Sequence, residues 1–107
     1  MKKQEERVSS KERIAKGNVE YVLRLFVTGA SPNSVRAITN LSEICKIHLA
    51  GKYSLEVIDV YQQSLLAKKE QIVALPLLVK KLPLPERRLI GDLSDTQKVL
   101  KGLGIIP

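Results

Sequence analysis

The chain has no tryptophan, one phenylalanine, one histidine and one cysteine, and these scarcities exclude whole classes of function. A lone cysteine, Cys45, rules out an intramolecular disulfide and any paired-cysteine redox or zinc motif, which suits a reducing, cytoplasmic setting. The single histidine, His48, has no ligand-forming neighbours at metal-binding spacing, so no metal and no cofactor is expected. Nowhere do about eighteen apolar residues run together, so no segment is expected to span a membrane. The basic start Met1-Lys2-Lys3 is not followed by the apolar stretch that a secretion signal needs. The few aromatics sit inside apolar runs such as Tyr21-Val22-Leu23-Arg24-Leu25-Phe26-Val27 rather than between basic residues, so stacking on nucleic acid is not expected.

What is present is modest. A chain of 107 residues supports one domain, which buries about two thirds of the surface its unfolded form exposes. Leu, Ile and Val must build the core, and a hydrophobic fraction of 44% marks a globular protein. Eighteen Lys and Arg against eleven Asp and Glu leave a net charge of +7, which points to an acidic partner.

Residues 1–18 are rich in Lys, Arg, Glu, Gln and Ser and form an expected solvated extension; the domain is expected over 19–107. Val19 to Thr28 is dominated by β-branched, aromatic and other apolar residues, a strand buried on both faces, closed by Gly29. Ser31 suits a helix N-cap, and Pro32 suits the first helical position because its missing NH costs nothing there. Val35, Ile38, Leu41, Cys45 and Ile44 or His48 recur at helical spacing and predict one apolar stripe, ended by Gly51. Tyr53 to Val60 predicts a second strand, parallel to the first. Gln63 to Ala74 predicts a short helix that Leu75-Pro76 breaks. Leu77 to Leu82 and Arg87 to Leu93 predict two more strands around the Pro83-Leu84-Pro85 turn, and Ser94 is a candidate cap for a last helix.

The resulting order, β-α-β-α-β-β-α with proline just before the third strand, is an α/β plan of thioredoxin-like type. Enzymes of that plan place a CxxC at the start of the first helix, where the helix dipole lowers the thiol pKa. Ser31-Pro32-Asn33-Ser34 stands there instead, so no nucleophilic thiol is available. Cys45 lies about four turns further on the apolar stripe and is expected to be a buried structural thiol; a thiol redox protein or sensor using Cys45 is the competing class. Asp92 and Asp95 are expected to cap or complement a helix. Gly102-Leu103-Gly104 follows a helix, the wrong polarity for a phosphate loop. No catalytic constellation is expected.

The string Tyr21 to Gly29 followed by Ser31-Pro32-Asn33-Ser34-Val35-Arg36-Ala37 resembles the opening of the KaiB family of cyanobacterial clock proteins. So do Tyr53 to Val60, Leu82-Pro83-Leu84-Pro85-Glu86-Arg87-Arg88-Leu89-Ile90-Gly91-Asp92-Leu93-Ser94, and Lys98-Val99-Leu100-Lys101-Gly102-Leu103. The resemblance implies a non-enzymatic protein that binds the N-terminal ATPase ring of KaiC. It also implies two folds: a thioredoxin-like partner-binding form, and a self-associated dimer or tetramer with a rearranged second half. By the same resemblance, Arg36 and Lys80, together with Lys68 and Lys69, are candidates for partner binding. Tyr21, Gly102 and Gly104 match positions implicated in the balance between the folds, Gly104 standing where the clock members usually carry Asp. Tyr53, Arg87 and Arg88 are candidates for oligomer or other surface contacts; the bland alternative for Lys80 is an ordinary exposed charge. Lys68-Lys69 replaces the family's usual acidic pair, Leu75-Pro76-Leu77 its Thr-Pro-Thr, and Glu56 a lysine, while the acidic tail is missing beyond Pro107. These departures imply a role in stress or energy adaptation rather than a full clock. A sensor domain of the kind fused to histidine kinases shares the plan, but no kinase segment is seen after Pro107.

Overall fold

Alternating burial begins at Tyr21, where the chain turns from polar to apolar, and the first strand forms there. The computed structural model describes residues 19–107, so the expected extension at 1–18 lies outside the described residues. The elements are β1 (Tyr21–Val27), α1 (Pro32–His48), β2 (Tyr53–Asp59), α2 (Ser64–Glu70), β3 (Leu77–Leu82), β4 (Arg87–Ile90) and α3 (Thr96–Gly102). The strands make one sheet in the order β2-β1-β3-β4. β2 runs parallel to β1, with Tyr21 opposite Tyr53 and Val27 opposite Asp59, as a β-α-β unit requires. β3 runs antiparallel to β1, with a register shift between Val22 and Leu23, and β4 antiparallel to β3.

The core has two layers because β1 and β3 are apolar on both faces. Leu23, Leu25, Val27 and Leu78 pack on Ala37, Leu41, Ile44 and Cys45 of α1 and on Val99, Leu100 and Leu103 at α3. On the other face Phe26, Ile58, Leu77 and Val79 are covered by Leu66 of α2 together with Ile72 and Leu75. Removing each such large side chain from water contributes about 1.5–3 kcal/mol.

Ser31 caps α1 as expected, its Oγ accepting from the Ser34 backbone N–H at 3.2 Å, with Pro32 at the first helical position. Several expectations need correcting. β1 begins at Tyr21 and ends at Val27 rather than spanning Val19 to Thr28. The buried face of α1 starts with Ser34 and Ala37, while Val35 is half exposed and His48 exposed. The second helix stops at Glu70, four residues before Ala74: Gln71 turns into the left-handed region at φ 56 and its N–H bonds to the Lys68 carbonyl. Ile72 then drops onto the core and Val73 points away from it. β4 ends at Ile90 rather than Leu93, because Gly91 at φ 117 breaks the ladder. The side chain that caps α3 is Asp95, not Ser94, accepting the Lys98 N–H at 3.2 Å.

Candidate docking surface

Where thioredoxin-type enzymes carry thiols, this chain builds a closed set of hydroxyls. Ser31 Oγ donates to Ser34 Oγ at 2.8 Å, Thr28 Oγ1 lies 3.2 Å from Ser31 Oγ, and the Thr28 backbone N–H donates to Ser34 Oγ at 3.1 Å. Ser34 is fully buried. These groups satisfy one another and the start of α1, and among the described residues no basic side chain bonds to any of them to activate a nucleophile. Cys45 is also fully buried, and burial alone pushes its thiol up to about 11. Thiolate is therefore scarce at neutral pH, and the redox alternative loses its reactive species. Among the described residues no group of His, Cys, Asp and Glu is arranged to hold a metal, and no helix is long and apolar enough to cross a membrane.

The topology instead gathers exposed apolar side chains at one end of the sheet. β1, β2 and β4 finish there and β3 starts there, so the connections 28–31, 60–63 and 91–95 meet at that edge, together with the Leu75-Pro76 step into β3. Tyr61 and Leu65 are each 78% exposed there, and half-exposed Val35 and Ile90 belong to the same end; Val73, 88% exposed, lies on the segment that runs from Glu70 back to β3. Lys68 and Lys69 lie on the exposed side of α2 beside Leu65. Arg36, on the first turns of α1, bonds to Asp92 Oδ2 at 3.3 Å and to Asn33, and Asn40 donates to the Asp92 carbonyl at 2.9 Å. Ser94, through its hydroxyl first and then its backbone N–H, holds the Asp92 carboxyl below the usual range, with Arg36 adding to the effect. The Gly91 N–H bonds to the Pro76 carbonyl at 3.0 Å, joining the end of β4 to the start of β3.

The candidate residues do not form one cluster. Arg36, Lys68 and Lys69 border the strand-end surface. Tyr21 and Tyr53, paired across β1 and β2 at the opposite end, are half-buried against the α1/α3 core. Gly102 sits over Leu89, where an added Cβ would lie 2.7 Å from Leu89 Cδ1. Gly104 is exposed. Lys80 is not an ordinary exposed charge: only 4% of it is exposed, and burial, then Arg87, lowers its pKa. Arg87 is exposed, but Arg88 folds back, donating to the Glu70 carbonyl at 2.7 Å and to Glu70 Oε1 at 3.1 Å.

Sequence reasoning missed Glu70. This carboxylate is 7% exposed and also accepts from Lys81 Nζ at 2.8 Å, while Lys81 reaches Glu86 at 3.6 Å. The network ties the end of α2 to β3 and β4 and so positions the lysines beside it. Its signal in the sequence was slight, an acidic residue closing a helix that precedes two basic strands.

Comparisons with known proteins agree with this architecture. A family profile described as the KaiB domain matches residues 24–105. The chain is 51% identical over 86 residues to the circadian clock oscillator protein KaiB of Synechococcus elongatus, covering 80% of this chain and 84% of that protein. The solution structure of the N-terminal domain of Synechococcus elongatus SasA superimposes with a TM-score of 0.65 at 28% identity, covering 82% of this chain and 87% of that one. Mitochondrial thioredoxin 3 from Saccharomyces cerevisiae gives a TM-score of 0.67 at 14% identity, over 91% of this chain and 89% of that one, a likeness of fold alone.

Proposed function

Since the chain belongs to the KaiB family, we propose that it is a non-enzymatic, cytoplasmic docking protein for the N-terminal ATPase ring of a KaiC-type partner. The observation that carries this reading is the strand-end surface, where Tyr61 and Leu65 protrude. Exposed apolar side chains gathered at one end and bordered by charge are the usual anatomy of a protein interface, a greasy centre with a polar rim. Lys68, Lys69 and Arg36 supply the rim and call for acidic groups on the ring. The sealed hydroxyls at Ser31 and Ser34 and the shielded Cys45 thiol support binding rather than turnover.

The lysine pair where the clock members carry acidic residues supports a changed choice of further partners, since rim charges select among competitors more than they add affinity. On this basis the chain serves stress or energy adaptation. Self-association as a dimer or tetramer in isolation belongs to the same proposal.

Size-exclusion chromatography with a hexameric KaiC-type ATPase and ATP tests it. The chain is expected to elute with the ring, and Leu65→Glu to weaken that association by at least about tenfold, the loss of one central apolar contact. Failure to co-elute, or turnover of a thiol substrate by the purified chain, overturns the proposal.

A further inference from the structure

Two charged side chains are buried among the described residues, and they are treated differently. Glu70 is matched by Lys81 and Arg88. Lys80 has neither a carboxylate nor a hydrogen-bond acceptor among the described residues. It stands on β3 opposite Leu23, on the face that α1 and α3 cover, with its stem in the core and its ammonium directed to the end of α3.

Every fully enclosed side-chain nitrogen and oxygen among the described residues has a hydrogen-bond partner. Lys80 Nζ has none, so it retains an opening to solvent. Gly104 marks that opening. It is exposed, it adopts φ +76, and a Cβ placed on it would lie 3.8 Å from Lys80 Nζ with no other atom as a neighbour within 4 Å. With no side chain at Gly104, the space directly beside the ammonium is open there.

The surroundings set the sign of that group. Arg87 is the register partner of Lys80 on β4 and close enough to depress its pKa. Lys101 occupies the last turn of α3. Glu86, next to Arg87 in the chain, is committed to Lys81. The C-terminal end of α3 offers an anion no help from the helix dipole, and the Leu103, Gly104 and Ile105 N–H groups close turns onto the Val99, Lys101 and Leu100 carbonyls, so the donors for an anion are side-chain nitrogens alone. A buried ammonium beside a second cation is costly unless a negative group meets it.

We propose that the notch between Lys80 and Gly104 binds a small oxyanion, a phosphate or carboxylate group, with Lys80 Nζ as the direct donor and Arg87 as the flanking cation. The bond is charge-assisted and short in reach. Gly104 is the gatekeeper, because any side chain there enters the space the anion needs.

Titration of the full chain with sodium phosphate, and separately with sodium acetate, followed by amide NMR at constant ionic strength tests the notch. Saturable shifts are expected at the Gly104 and Ile105 amides, lost in Lys80→Met and weakened severalfold in Arg87→Gln. Gly104→Asp is expected to abolish the response by supplying an internal carboxylate, and to raise the melting temperature. A response to phosphate alone assigns a phosphoryl ligand, to acetate alone a carboxylate, and to both a general oxyanion. Absence of saturation with both anions, or an unchanged response in Lys80→Met, overturns the proposal; Arg87→Gln and Gly104→Asp decide it should Lys80→Met fail to fold.

Discussion

Lys80 carries a charge into a place that disfavours charge, and this has a consequence for pH. Burial first, and Arg87 second, lower its pKa from the ordinary 10.5. The unfolded chain therefore holds the proton more tightly than the folded one, and stability rises with pH through the window between the lowered value and 10.5. Lys80→Met is expected to remove that slope and to raise the melting midpoint at neutral pH, because Met leaves no charge in that place. Thermal melts from neutral to alkaline pH check it, and an unchanged or lower neutral midpoint counts against it. Asp92 has the opposite sign: Ser94 and Arg36 lower its carboxyl pKa, so its contribution is present above the usual carboxylate range and fades as pH falls through the depressed value. The identity of the buried lysine was not legible in the sequence. Leu77 to Lys80 is buried on both faces of β3, so period-two alternation carries no information on whether Lys80 or Lys81 turns inward. Cys45 was legible, because a helical stripe has only one inner face.

At the scale of elements, each short helix adds one specific contact to its apolar packing. α2 is held by Glu70, and Glu70→Gln is expected to cost about 1.5–3 kcal/mol, the range for hydrogen bonds to charged groups. Arg24→Gln, which breaks the half-exposed pair with Glu56, is expected to cost about 0–1 kcal/mol. Urea melts of the two variants measure the contrast, and equal losses contradict it. α3 rests on β4 through Gly102, where a Cβ would meet Leu89 at 2.7, 2.8 and 3.1 Å. Gly102→Ala gains helix propensity of about 1 kcal/mol but forces Leu89 out of its packed position at about 1–3 kcal/mol. The expected net effect is destabilising, and less so when Leu89→Ala has already emptied the space, so a double-mutant cycle should show coupling. The strands, the long helix and the order of elements were readable, since each rests on local patterns of caps, glycines and alternation. The end of α2 was not. Gln71 adopts the left-handed turn that glycine usually signals, and the apolar Ile72 and Val73 continue the helical spacing past the point where the chain leaves it.

Over the whole molecule, charge is paired unevenly. Among the described residues Arg24, Arg36, Lys52, Lys81 and Arg88 face carboxylates, whereas Lys68 and Lys69 stand exposed on α2 beside the apolar strand-end surface. An interface built this way separates two terms. The apolar centre governs how long a complex lasts, while the rim lysines govern how often partners meet, because long-range attraction acts before contact. Screening sets in over about 10 Å at 0.1 M salt, so the rim contribution should fade with ionic strength and the centre should not. Reversing both charges with Lys68→Glu and Lys69→Glu is expected to lower the association rate with a KaiC-type ring by about tenfold at low salt and to flatten its salt dependence, within the range that steering commands. Leu65→Glu is expected to act mainly on dissociation. Surface-based kinetics at two salt concentrations distinguish them, and a lysine double variant whose rates and salt dependence match those of the unaltered chain would place the partner on another face of the sheet.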